Sequence, residues 1–451
     1  MNIIIGIAIL LTLMLSDNSS APESVNIAAR LCGLILLTAL APFTSAVLVF
    51  LNERKPSADR CFEQEMATAR FTSSMHTAIW FVASLAIVLV LGWQDVVRYS
   101  MGFDGWVFVD EALIIAPMLI SLIVSWAIFF EQQSHDIPMA DRRRAMRQYV
   151  GLRCRVYLLM VLVPIVFVIL IKDFWVYLQF MSPALAAILA LLAVVAMLML
   201  MPEVIRMMWT NRSISEDEGR SKLLALCNEH RMTVSDIKVW DTNNQIVNAL
   251  VAGLVPRMRI LMVTDLLLAS FPTHELKAVL RHEAGHVRLR HLQKRLGFIM
   301  LPAIALLGLE MDPNATVEQC LGLLGVTTGA TFIIGLVFFA YVVWVTTWLS
   351  RNMEFEADLY AIGAIGQENS QAEVEESGQS MADALLRFAD QNPDQLSRGS
   401  ITHPSLMERI ELIKSSRLST ATAKAFQRRF QIGQIALAFA IVTVMVGIIL
   451  V

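Results

Sequence analysis

Residues 282–286 read His282-Glu283-Ala284-Gly285-His286. On an α-helix, residues four apart share a face, so His282 and His286 can offer two ring nitrogens to one metal ion. Zinc takes imidazole readily, and a catalytic zinc needs three protein ligands and an open position for water. Glu283, beside the first histidine, can reach that water as general base. The chemistry that suits this spacing is hydrolysis assisted by one zinc ion per chain. His291 does not fit the longer pattern H-E-x-x-H-x-x-G-x-x-H, because Leu289 and Leu292 stand at its Gly and last His positions. It reads as part of a basic helix face. A better third ligand lies in Ser350-Arg351-Asn352-Met353-Glu354-Phe355-Glu356-Ala357-Asp358. Glu354 and Asp358 share a helix face: Glu354 can complete the metal site, and Asp358 can hold the outer nitrogen of a metal-bound histidine. Glu356 points about 200° away from Glu354 and reads as solvated.

These residues need elements to hold them. Thr273 is a candidate N-cap, and Leu276, Val279, Leu280 and Val287 form a helical stripe beside the two histidines and Glu283. Arg288, Arg290, Lys294 and Arg295 follow, a solvated basic face at the negative end of that helix. Residues 216–230 read as a helix, and Asp236–Trp240, Gln245–Leu250 and Arg259–Val263 as strands, with a turn at Asn243-Asn244. Gly366–Ser380 reads as a polar loop, followed by helices over 381–390 and Pro404–Ser415.

Composition demands a membrane. Hydrophobic residues make up 56% of the 451 and charged residues only 17%. Nine apolar segments stand out: 3–15, 31–51, 77–92, 112–130, 156–171, 184–201, 297–310, 322–349 and 432–451. A full span needs about 20 residues, so 3–15 and 297–310 are short for one. Segment 3–15 lacks a basic n-region and a cleavage site, so it is expected in the mature protein. Arg54, Lys55, Arg60 and Arg70 crowd loop 52–76, and six arginines, Arg142-Arg143-Arg144 among them, crowd 131–155. The alternate loops hold Arg98, Lys172 and, in 311–321, no Lys or Arg. This bias puts residues 202–296 and 350–431 together in the cytoplasm, where both halves of one metal site could meet. In short loops between spans the arginines suit acidic lipid, and no nucleic-acid partner is expected. The five cysteines are scattered without C-x-x-C spacing and read as free.

Four segments, in order, resemble the HtpX and type 1 CAAX prenyl protease family of membrane zinc metallopeptidases. They are Asn248-Ala249 to Gly253 with the apolar run after it, the H-E-x-x-H helix, Arg351, Glu354, Ala357 and Asp358 as R-x-x-E-x-x-A-D, and Thr402-His403-Pro404 followed by Arg409-Ile410. The resemblance spans residues 215–415 and leaves the first 200 unmatched. It implies a polytopic α-helical membrane protein with a mixed α+β, zincin-like catalytic domain at the cytoplasmic face. The expected parts are a membrane region 1–201, catalytic parts 202–296 and 350–431 flanking membrane segments 297–349, and a last span 432–451. It also implies zinc on His282, His286 and Glu354, with Glu283 as base. His403 becomes a candidate to stabilise the oxyanion, and Asn248, Ala249 and Leu250 a strand on which peptide substrate pairs. Expected partners are membrane-associated proteins or peptides and the bilayer itself. A site-2-type intramembrane protease also uses H-E-x-x-H, but His274, Glu275, Lys277 and Arg281 make this helix too polar for lipid. The remaining alternative, a silent scaffold or transporter, would not need the full set of ligands and base.

Overall fold

The computed structural model describes residues 2–16, 26–53, 62–133, 138–178, 182–215, 219–311, 330–366, 369–391 and 393–450. Expectations for Arg54, Lys55, Arg60, Cys61, Cys320, loop 311–321 beyond its first residue and the start of segment 322–349 lie outside them. Cys32, Cys154 and Cys227 are free thiols. The chain divides into two compact units, Met1–Met197 and Leu198–Val451.

The first unit is helical: α1 (Asn2–Ser16), α2 (Ile27–Glu53), α3 (Phe62–Leu89), α4 (Val109–Gln133), α5 (Met139–Arg153), α6 (Met160–Leu178) and most of α7 (Pro183–Met208). Ile5, Ile9, Trp80, Met118, Leu122 and Trp126 pack its interior. The Trp80 indole N–H donates to the Met118 carbonyl at 2.9 Å, so the buried ring leaves no polar atom unmet. The outward faces are equally apolar, with Ile35, Leu36, Phe43, Val82 and Leu192 exposed. Such surfaces suit hydrocarbon and not water. Across the whole chain, six helices among the described residues are long and apolar enough to cross a membrane: Ile27–Leu51, Phe71–Leu89, Val109–Glu131, Met139–Ile171, Ile188–Met208 and Thr420–Val446. The protein is an integral, multi-pass membrane protein. The arginine-rich stretch expected as a loop is instead helix α5, which runs on through a π-helical turn at Cys154–Leu159 into α6.

The second unit is mixed. Four strands, β1 (Asn211–Ser213), β2 (Asp236–Trp240), β3 (Ala249–Ala252) and β4 (Ile260–Thr264), form one sheet in the order β1-β2-β4-β3. β2 and β4 run parallel, β1 pairs antiparallel with β2, and β3 antiparallel with β4. All five β4 residues are buried, as a central strand requires, whereas β3 is an edge. The strand expected over Gln245–Leu250 starts later, at Ala249. Asp265 accepts hydrogen bonds from Thr242 and Asn244 and holds the preceding residues in a turn, where Asn243 and Asn244 both have positive φ.

Helices α8 (Arg220–Glu229), α9 (Asp265–Ser270), α10 (Thr273–Arg288), α11 (His291–Met311), α12 (Ala330–Ala361), α13 (Gln371–Gln391), α14 (Asp394–Ser397), α15 (Leu406–Leu418) and α16 (Thr420–Leu450) complete the unit. The loop expected over Gly366–Ser380 is largely the start of α13. Its buried Val374, Gly378, Met381, Ala382, Leu385 and Ala389 repeat at helical spacing, and the small Gly and Ala members hide that stripe from a reading of bulky residues. Pro272, not Thr273, caps α10. Pro404 lies before α15, whose N-cap is Ser405 in a capping box with Glu408.

Candidate metal centre

Helix α10 carries two of the site residues and α12 the third. The helices cross closely because small residues meet: a Cβ on Gly285 would lie 3.1 Å from the Ala357 Cα and 3.2 Å from its carbonyl oxygen. The inner residues of H-E-x-x-H and the Ala of R-x-x-E-x-x-A-D thus set the helix separation. Glu275 anchors the other end of α10, paired with Arg387 of α13 at 2.6 and 2.8 Å.

The crossing brings His282, His286 and Glu354 together. The two Nε2 atoms are 3.1 Å apart, and Glu354 oxygens lie 3.5 Å from His282 Nε2 and 3.6 Å from His286 Nε2. Zinc bonds of about 2.0–2.1 Å in a tetrahedron set donors roughly 3.3–3.4 Å apart. Two imidazoles and a carboxylate at this spacing fit zinc and leave a fourth position open. Burial holds His286 well below the usual histidine range, so its ring is neutral. For His282 burial opposes the charge, but hydrogen bonds to Asp358 and Glu354 outweigh it and raise the ring to about 9. Glu354 is buried, which favours its neutral form. Hydrogen bonds from His282 and His403 and the charge of Arg409 nevertheless hold it ionised, well below the carboxylate range.

Around these three the chain is densely tied. Asp358 Oδ1 lies 2.8 Å from His282 Nδ1, and Arg409 of α15 donates to both Asp358 oxygens at 2.7 Å. Arg409 also stands 3.4 Å from Glu354. Burial pushes Glu283 up to about 7, against the charge of His282. Helix α10, which carries Glu283, packs against edge strand β3. His403 Nδ1 is 3.3 Å from Glu354, and the ring is otherwise open to solvent, 57% exposed. Asn248 lies just before β3 with its side chain exposed and its backbone bound to Thr264. Ala249 is buried, and Leu250 is half-buried opposite Met262.

Two residues depart from expectation. His291 is buried, not on a basic face: its Nδ1 meets His286 Nδ1 at 2.8 Å. Glu356 is buried, not solvated, and meets His291 Nε2 at 3.1 Å. For Arg409 the sequence carries one signal, its place after Thr402-His403-Pro404 in a motif otherwise built around the metal.

Residues 221–417 match the model of peptidase family M48. That region is an M48 peptidase region. A region of this family implies a zinc metalloendopeptidase, and His282, His286 and Glu354 are its candidate zinc ligands. The crystal structure of S. mikatae Ste24p is similar over 86% of this chain and 99% of that one, with 14% identity and a TM-score of 0.50. The likeness is one of fold: multiple apolar helical spans with a mixed α+β M48 region. No curated protein matches the chain.

Proposed function

We propose that this M48 peptidase cleaves membrane proteins, or peptides presented at the membrane surface, on the cytoplasmic side. The observation that carries this reading is the packing of α10, the helix that bears Glu283, against the edge strand β3: the candidate base stands on a helix beside an open strand edge. An extended peptide can add to the open edge of β3 along Asn248, Ala249 and Leu250, and its scissile bond then lies near Glu283. Zinc held by His282, His286 and Glu354 would supply a Lewis acid that polarises water and carbonyl. Glu283, poised near neutrality by burial, accepts the proton of the attacking water and returns it to the leaving amine. His403 reaches over Glu354 from the open side and donates to the oxyanion. Asp358 fixes the His282 ring.

Membrane proximity follows from α12. Trp344 and Trp348 stack with centroids 6.4 Å apart, an aromatic pair of the kind found at bilayer interfaces. Glu354 comes six residues after Trp348, about 9 Å further along the helix. On this reading 202–296 and 350–431 make one catalytic region, with 297–349 and 432–451 in the membrane and 1–201 as a membrane region before it. Segments 3–15, 297–310 and 322–349 bring the spans to nine, and the arginine bias sets the cytoplasmic side.

The test is a substrate trap. Glu283→Gln protein, pulled down from its own membranes and read by mass spectrometry, should retain membrane proteins that are released from the active enzyme. Enrichment of soluble proteins only would refute the substrate class. Cysteines placed in 282–296 and 351–358 that react with an impermeant reagent outside intact cells would refute the orientation.

A further inference from the structure

His282 has a carboxylate of its own, whereas His286 has none in direct contact on its outer side. Its Nδ1 faces another ring, His291, at 2.8 Å. His291 Nε2 in turn meets Glu356 at 3.1 Å, and the other Glu356 oxygen accepts from the Gln427 amide at 3.2 Å. Only one arrangement of protons satisfies every contact while leaving His286 Nε2 a bare lone pair. His286 Nδ1–H donates to His291 Nδ1, and His291 Nε2–H donates to Glu356. Each atom then has a partner, and the buried carboxylate closes the series. The route exists because α10 ends at Arg288 and Arg290 adopts φ 57°, which folds the start of α11 back so that His291 lies over His286. Gln427 belongs to α16, a candidate membrane span.

We propose that His291 and Glu356 are positioning residues for His286, fixing its ring with Nε2 toward the metal position, and that Gln427 ties this relay to the C-terminal membrane helix. The inference rests on His286 being a zinc ligand. Without the relay, the His286 ring is free to rotate or to take the tautomer that cannot bind metal at Nε2.

The test uses the full-length protein in detergent. Zinc affinity is read by competition with a chelator, the ligand field by the visible absorption of the cobalt-loaded protein, and folding by melting without metal. His291→Leu and Glu356→Ala should weaken zinc by about 10–100-fold and shift the cobalt bands. His291→Gln should restore most of both, since its carbonyl can accept from His286 and its amide can donate to Glu356. Wild-type zinc affinity and cobalt bands in folded His291→Leu protein would overturn the proposal. If that variant does not fold, Glu356→Leu, which keeps the bulk and removes the acceptor, carries the test: tight zinc with wild-type cobalt bands overturns the relay, and weakened zinc supports it. His286→Ala is the control. Zinc retained in that variant would sink the ligand assignment itself, whereas zinc lost there but kept in the relay variants sinks only the relay.

Discussion

Asp358 Oδ1 lies 2.8 Å from His282 Nδ1 while Arg409 grips the same carboxylate with two nitrogens. The aspartate is fully buried, and three elements meet on it: α10, α12 and α15. Its charge is held below the usual carboxylate range because Arg409 and His282 outweigh the cost of burial. Arg409→Leu removes the compensating cation and should cost about 3–5 kcal/mol of stability. Asp358→Asn with Arg409 intact should weaken zinc by about 10–100-fold. Chemical denaturation and chelator competition measure the two effects separately.

Glu283→Gln should abolish peptide cleavage and leave about one zinc per chain. As base, Glu283 would act on water and is not one of the candidate metal ligands. Metal analysis beside a peptide-cleavage assay checks this; turnover by the zinc-loaded variant would contradict the role.

Gly285 is a test of helix crossing. An added methyl meets the backbone of Ala357, which cannot swing aside as a side chain can. Gly285→Ala should therefore destabilise by about 1–3 kcal/mol despite its higher helix propensity. It should also weaken zinc, since α10 and α12 carry different ligands. Denaturation midpoints and zinc titration of the same preparation decide.

His403→Ala should lower kcat by about 10²–10³ with KM and zinc content little changed. Melting temperature should hold, because Ser405 and Glu408 cap α15 without help from the imidazole. An unchanged kcat in the folded, zinc-loaded variant removes His403 from the active site.

Asp265 holds the turn that leads into β3. Burial favours its neutral form, but hydrogen bonds from Thr242, Asn244 and Leu266 hold it below its ordinary value of 3.8. Its contribution is fully present above 3.8 and disappears as pH falls through the lower folded value. Asp265→Asn should be less stable than wild type at neutral pH, and the gap should narrow as pH is taken below 3.8. Melting curves across that range test it; a gap that widens in acid would be the wrong sign.

The metal centre was legible because its signals are local. His282, Glu283 and His286 lie within one turn and a half of helix, as do Glu354 and Asp358, and helical periodicity fixes their common faces. Apolar length likewise marked the six spans among the described residues. The start of α13 was not legible, because its buried stripe is partly Gly and Ala.

Sequence by itself marked the candidate ligands, the candidate base and the membrane, since each is carried by residue type at a fixed local spacing. Only the tertiary structure decided what stands behind them. Glu354 and Glu356 point to different sides of α12, and one side was expected to face water. Residues 356–365 are buried without interruption, so both sides have partners. On a continuous helix, His291 would point about 140° from His286. The break at Arg290, with neither Gly nor Pro to announce it, turns the ring back onto its neighbour. Which residues surround a helix, and where a helix folds over, are set by contacts between segments far apart in the chain. Local spacing carries no record of them.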